Sequence, residues 1–473
     1  VRAFRELDRR ACGLWLLIAL IHLVLLRNAL IHDPRIGYDA HHHLRNVQIY
    51  AELRSPLEQE SAQFFSAPLP YLLPAALKWS GLGLYHSVRI AFVLQVALSL
   101  TMFIYLLRLI QILYPDQYLP RYLAVSLVGI LPVYYKSFAF LRGEPYVACF
   151  TIVTLYQLFL LLRGKNGSSP LKLGACVALL ALSRQWGVFA ALGFALVGIS
   201  FVVREKSFRQ HFRPLAIAVL VSVIGAGWFY LGLLVRNSTV GAFNRAPAST
   251  FSLSNQPASF YFGLGGRELF SQPLRPNFQN ELLPIFLSEM WGDYWCYFNV
   301  YGRSTKYRSQ FIPAKRLALD QTLPASIESN RTEILSLLGK SNLYSLGVSG
   351  LLLFTFVYSF WLLRPIRRTS GLETDQFQDR ILLQRLAAGA LTVSVLGYFW
   401  FLIAHPEHTK GDTIKATYLL HAFPLLALLA SSLLTRVLSR KPWLSWAVFI
   451  YLALLAATIS PLYLSAYTWH PLR

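Results

Sequence analysis

The chain predicts an all-α polytopic membrane protein. About 11 transmembrane helices are expected, with interfacial helices in the first outer loop and one large extracytoplasmic loop. Three observations carry this expectation. Of 473 residues, 55% are hydrophobic and only 14% charged, where a soluble domain carries roughly 25% charged residues. Mean hydropathy is +0.45. Apolar runs near the length needed to cross a bilayer recur from end to end.

Taken in order, the runs fall at 11–31, 87–113, 119–135, 145–163, 170–184, 186–203, 214–235, 343–363, 385–404, 416–435 and 443–463. Arg184-Gln185-Trp186 interrupts one long apolar stretch, so 170–203 reads as a tight hairpin. The N-terminal segment, rich in arginine, precedes a run too long for the apolar part of a signal peptide and reads as an uncleaved anchor. Basic residues at Arg163, Lys165, Lys172, Arg204, Arg209, Arg213, Arg364, Arg436 and Lys441 mark one face as cytoplasmic. The opposite face then holds the loop 32–86, the short loop 136–144, the long loop 236–342, the loop 405–415 and the C-terminal tail. This divides the chain into an N-terminal transmembrane module, 1–235, with its first outer loop at 32–86, an extracytoplasmic loop, 236–342, and a C-terminal transmembrane module, 343–473.

Composition also excludes. The formal charge is +22, but the basic residues punctuate apolar runs, which suits topology and anionic headgroups rather than nucleic acid. Cys12, Cys149, Cys176 and Cys296 form no CxxC pair, so neither a disulfide framework nor a zinc site is expected. No Walker motif is present.

The outer face collects the chemistry. The first outer loop holds a helix-like stretch from Asp39 to Arg54 and a proline-led apolar stretch from Pro68 to Trp79, too short to span and read as an interfacial helix. Asp39 and His43 stand four residues apart, which on a helix places them on one face. They suit a base with its orienting partner, two metal ligands, or an interfacial helix cap. Glu144 lies in Arg142-Gly143-Glu144-Pro145 at the outer end of a span, either as a cap or as the second carboxylate of a divalent-cation site with Asp39. Glu289, Trp291 and Asp293 lie in a segment expected to be helical over 282–300, with Glu289 and Asp293 on one face among aromatic rings. Such rings beside carboxylates suit sugar binding, and equally a Trp/Tyr belt. Lys136, Arg142, Arg184 and Lys415 sit at outer span ends, placed for phosphate or for lipid headgroups.

Tyr38-Asp39 followed by His43, and then Ala67-Pro68-Leu69-Pro70-Tyr71-Leu72-Leu73, resembles the first-loop signature of the C-class polyprenyl-phosphate-dependent glycosyltransferases. The resemblance points to the protein O-mannosyltransferase and aminoarabinose-transferase-like superfamily. Gly143-Glu144 is similar to its second-loop acidic motif, and Lys415-Ala416-Thr417-Tyr418-Leu419-Leu420 with Pro424 to its late basic-Tyr-Leu motif. Ala40 stands where the usual pair has its second acidic residue, and Ala67 where histidine is common.

The resemblance implies an integral enzyme of a bacterial inner membrane, with its active site on the extracytoplasmic face. It would move a hexosyl or pentosyl group from a polyprenyl-phosphate donor to a hydroxyl of a lipid, glycan or protein acceptor, with inversion. Asp39 is then the general base. Arg184, Lys415 and Arg142 hold the phosphate, and Glu289, Trp291, Asp293 and Tyr418 contact substrate. His43 either orients Asp39 or joins Asp39 and Glu144 around a divalent cation, Mg or Mn. The competing readings are a transporter of lipid-linked saccharides and a noncatalytic assembly subunit. A transporter would place its charges near the bilayer midplane.

Overall fold

A computed structural model describes residues 2–205, 207–241, 243, 247–275, 277–300, 325–364, 375–407 and 411–469. The middle of the long loop, 301–324, lies outside the described residues. Among the described residues all regular structure is helical, apart from one isolated antiparallel bridge between His32 and Thr468. The helices are α1 (Arg2–Ile31), α2 (Ala40–Ala51), α3 (Leu69–Trp79), α4 (Leu84–Leu113), α5 (Leu119–Gly129), α6 (Pro132–Phe138), α7 (Glu144–Leu162), α8 (Pro170–Ser183) and α9 (Trp186–Arg204). They continue with α10 (Phe208–Asn237), α11 (Ala258–Phe262), α12 (Glu268–Ser271), α13 (Leu282–Met290), α14 (Ala325–Tyr344), α15 (Leu346–Leu363), α16 (Asp375–Ala404), α17 (Ala422–Leu438) and α18 (Pro442–Ile459).

Eight described helices are long and apolar enough to cross a membrane, and α8 and α17 are shorter apolar helices. The chain is thus an all-α polytopic membrane protein, as expected. Two predicted runs depart from continuous helix. The run 119–135 breaks into α5 and α6 at Pro132, which has no N–H to give and forces Leu131 into extended backbone. The run 416–435 opens as a 3₁₀ turn, Ala416–Leu419, and becomes α-helical only at Ala422. The hairpin at 184–186 forms as expected, because Arg184 is fully extended between α8 and α9.

Helix α7 is the centre of the bundle, with 89% of its most apolar stretch buried. It packs on α4, α8 and α9. The helices of 343–473 join those of 1–235 directly, α16 lying along α9 and α17 along α5. The last apolar span, Pro442–Tyr463, is only 17% buried and presents Trp443, Trp446 and Ile450 outward, as a lipid-facing helix does.

Polar elaborations gather at one end. Helix α3 is amphipathic, as an interfacial helix should be: Tyr71 and Ala75 are buried, while Leu72 and Trp79 are exposed. It packs on α2 and α4. The C-terminal tail returns to the same end. Trp469 N–H donates to the Ile31 carbonyl at 2.7 Å, and the His32 Nδ1 meets Ser465 Oγ at 2.7 Å. At the opposite end of α7 and α16, Asp379 is clasped by Arg163 and by Lys165 at 2.6 Å.

Candidate active site

Helix α7 begins at Glu144, and its first turn is approached by two arginines. Arg142 donates from Nε to Glu144 Oε2 and from Nη2 to Oε1, both at 3.1 Å. Arg184 Nε stands 3.1 Å from Glu144 Oε1, an ion pair without hydrogen-bond alignment. Gly143 makes this possible: a β-carbon there would collide with the Ser183 carbonyl oxygen, so only glycine lets the two loops close. All three side chains are buried. Burial opposes the charge of Arg142, but Glu144 and the surrounding anionic groups outweigh it and raise its pKa.

Tyr418 organises the cations. Its ring has Arg142 Cζ at 5.4 Å, Arg184 Cζ at 5.7 Å and Lys415 Nζ at 5.6 Å. Tyr38 offers a second face, with Arg142 Cζ at 5.2 Å and Lys415 Nζ at 5.0 Å. Cations within about 6 Å of a ring centroid are attracted by its quadrupole. Lys415 is aimed by its backbone, whose N–H donates to Tyr398 Oη at 2.8 Å. No carboxylate of the described residues lies within ion-pair distance of its ammonium. Arg142 Nη1 is likewise buried without a partner. Three clustered cations with spare donors form a site for an anion.

Asp39 borders this cluster. It sits just before α2 in left-handed backbone, φ 53° and ψ 27°, and its side chain does not cap the helix. The carboxylate instead turns aside, and Oδ2 accepts from Gln63 Nε2 at 3.0 Å. Gln63 is itself fixed: Ser66 Oγ donates to its Oε1 at 2.8 Å and Asn46 Nδ2 to its backbone carbonyl at 2.9 Å. Burial pushes the Asp39 carboxyl up, but Lys415, Arg142, His42 and Arg184 together hold it below its ordinary value. Asp39 is therefore an ionised carboxylate beside an anion site.

His43 does not orient Asp39. The expected shared face fails because Asp39 lies outside the helix, in left-handed backbone. The imidazole Nδ1 shares a 2.6 Å hydrogen bond with Tyr71 Oη, and Nε2 is buried without a partner. Burial, joined by Arg142 and Arg184, pushes its pKa well below the ordinary value, so it is neutral at physiological pH.

Asp39, Glu144 and His43 are also not assembled around a cation. Both Glu144 oxygens are engaged by arginine, and His43 Nδ1 is engaged by Tyr71. Among the described residues, no three His, Cys, Asp or Glu side chains come together so as to hold a metal ion. The residues present do not fit the Mg or Mn expected of them.

Glu289 and Asp293 do not share a helix face, because α13 ends at Met290. Asp293 instead folds the loop beyond it. Its Oδ1 accepts from Tyr297 N at 3.1 Å, and its Oδ2 from Phe298 N and Asn299 N at 2.7 Å and Val300 N at 3.2 Å. Trp291 is wholly buried, its indole N–H donating to Ser349 Oγ at 2.8 Å. Neither is placed to touch a substrate. Glu289 is also inaccessible: its Oε1 lies 2.7 Å from Lys136 Nζ and accepts from Tyr38 Oη. Lys136 is spent on this carboxylate and on the Gly292 carbonyl at 2.9 Å, so it does not belong with the phosphate candidates.

The structure thus gathers Asp39, Arg142, Glu144, Arg184, Lys415 and Tyr418, and sets Trp291 and Asp293 apart. Gln63 was not foreseen, since it lies in irregular chain with no periodicity to mark it. Tyr71 was visible within the proline-aromatic run, but only as part of a motif.

No family model matches the chain, and no curated protein matches it. It is similar to two crystal structures of ArnT from Cupriavidus metallidurans. One is in the apo state, with 14% identity over 89% of this chain and 78% of that chain and a TM-score of 0.36. The other is bound to undecaprenyl phosphate, with 14% identity, the same coverage and a TM-score of 0.37.

Proposed function

We propose that the chain is a membrane glycosyltransferase that moves a sugar from a polyprenyl-phosphate donor to an acceptor hydroxyl. The observation that carries this reading is the convergence of Arg142, Arg184 and Lys415 around Tyr418, with the ionised Asp39 at the edge. The first-loop, second-loop and late motifs that resemble the C-class enzymes supply residues to this same cluster. All its charges sit at helix ends or in loops, where a transporter would carry them at mid-span.

In this reaction the acceptor oxygen attacks the anomeric carbon, and the bond from that carbon to the phosphate oxygen breaks. The acceptor proton passes to Asp39, and the polyprenyl phosphate leaves with a second negative charge. The attack comes from the side opposite the phosphate, so the anomeric configuration inverts. Gln63 fixes the carboxylate for the transfer, which is worth about 10²–10⁴-fold in rate. The fixed cations stabilise the charge that develops on the phosphate.

Charge balance supports the assignment. Three cations against the carboxylates of Glu144 and Asp39 leave one net positive charge, which matches a phosphodiester donor. Once Asp39 is protonated, two net positive charges face the departing phosphate dianion. The seated donor also offsets the cations that hold Asp39 low, which restores its basicity when it is needed. Positive-inside bias supports an extracytoplasmic site in a bacterial inner membrane.

The test is turnover. The purified chain in nanodiscs is given a polyprenyl-phosphate sugar and envelope extract as acceptor, and released polyprenyl phosphate is measured. Release above a heat-inactivated control is expected for at least one donor sugar. Absence of release across hexose and pentose donors, from protein that retains its helical fold, overturns the reading.

A further inference from the structure

Tyr38, Glu289 and Lys136 come from three separate segments: the first outer loop, the long loop and the short helix α6. All are buried within 2% of full enclosure. The Tyr38 hydroxyl donates to Glu289 Oε1, and the Lys136 ammonium stands 2.7 Å from that same oxygen. Lys136 also donates to the Gly292 carbonyl at 2.9 Å and to the Glu289 carbonyl at 3.2 Å, so the ammonium is tied to the backbone that ends α13. Asp293 Oδ1 lies 3.9 Å from the same ammonium. Within this group it is the Tyr38 ring that reaches the anion site, with Arg142 Cζ at 5.2 Å and Lys415 Nζ at 5.0 Å.

The group matters through the neighbour of Tyr38 in the chain, Asp39, which holds φ 53°. Left-handed backbone is uncommon for residues other than glycine and persists where the surroundings enforce it. On the C-terminal side, enforcement comes from α2, whose His42 and His43 N–H groups donate to the Asp39 carbonyl at 2.9 and 3.1 Å. On the N-terminal side it comes from Tyr38, whose hydroxyl is anchored and whose ring is wedged against Phe140 and Tyr297 at 5.5 and 5.2 Å. The same ring lies under Lys415 and Arg142.

We propose that Tyr38, anchored by the buried Lys136–Glu289 pair, is a positioning residue that aims Asp39 at the reacting hydroxyl. The long loop thereby acts on the first-loop base without touching substrate. This rests on the glycosyltransferase reading for its kinetic consequence, and on geometry alone for the anchoring.

The experiment compares Tyr38→Phe, Glu289→Gln and the double variant. Tyr38→Phe keeps the ring and loses only the hydroxyl. A misplacement of about 1 Å at a reacting group costs on the order of 10²-fold, so kcat is expected to fall roughly 10- to 100-fold with little change in donor KM. Glu289→Gln breaks the ion pair that anchors Tyr38 and should lower kcat by roughly the same 10- to 100-fold, and the double variant should lose little more than the larger single loss. A pure packing role would lower stability without splitting kcat from KM. Unchanged kcat in Tyr38→Phe overturns the proposal while leaving the glycosyltransferase reading intact. A second readout is independent of turnover: the alkylation rate of the thiol introduced by Asp39→Cys, measured above the background of the chain without it. Removing the Tyr38 hydroxyl should change that rate at least about fivefold, and equal rates with and without it overturn the proposal even if no sugar is transferred.

Discussion

Arg142 grips Glu144, two residues away, through two hydrogen bonds of 3.1 Å each. The pairing takes the carboxylate that a divalent cation would need and spends it on holding two guanidinium groups together. In the proposed reaction, fixed positive charge at the phosphate then comes from the protein itself. Sugar transfer should persist, within about twofold, after dialysis against a chelator. Loss of transfer that Mg or Mn restores would show that the cluster rearranges around a metal.

Gly143 sets the distance between the two arginine-bearing loops. Gly143→Ala places a methyl group against the Ser183 carbonyl oxygen. Such overpacking costs about 1–3 kcal/mol. A lower melting temperature is expected, together with weakened binding of the proposed polyprenyl-phosphate donor, because Arg142 and Arg184 can no longer share Glu144. A variant with unchanged melting and binding would show that the loops have room to spare.

In the proposed reaction Lys415 acts on both the phosphate and the base. A hydrogen bond to a charged group contributes about 1.5–3 kcal/mol, so Lys415→Met should weaken donor binding by roughly 10- to 100-fold. It should also alter the pH profile. Asp39 is held low by the cations, Lys415 first among them. Transfer needs the ionised carboxylate, so the rate falls as pH drops through its pKa. Removing Lys415 raises that pKa, and the acid limb of kcat/KM should move to higher pH. A limb that stays in place would separate Lys415 from Asp39.

His43 is neutral at physiological pH because burial and two nearby arginines depress it. It contributes no ionisation near neutrality. His43→Asn should leave the shape of the pH profile between about pH 6 and 8 unchanged, although kcat falls through the loss of the Tyr71 contact. A limb that disappears in this variant would assign the titration to His43.

The membrane fold was legible because apolar runs long enough to cross a bilayer need no tertiary information to be recognised. The amphipathic α3 was legible for a similar reason, from prolines at its start and Trp79 at its end. Arg142, Arg184 and Lys415 stood out as cations at outer span ends. What local spacing does not carry is where a helix stops. Asp39 and His43, and again Glu289 and Asp293, stand four residues apart, yet each pair straddles a helix end. Asp39 lies in left-handed backbone before α2, and Asp293 binds the N–H groups of the loop beyond α13. The Gly143 contact with Ser183 and the Gln63 bond to Asp39 join segments far apart in the chain, where no periodicity links them. Pro132 was readable as a break in the third apolar run, and its length masked it.

The most direct test is Asp39→Asn, which keeps the shape and the Gln63 contact but removes the base. With a polyprenyl-phosphate sugar at saturation, kcat should fall by about 10²–10⁴-fold, while the donor still binds with near-normal affinity. Near-normal turnover in this variant, with its fold intact, would contradict the account.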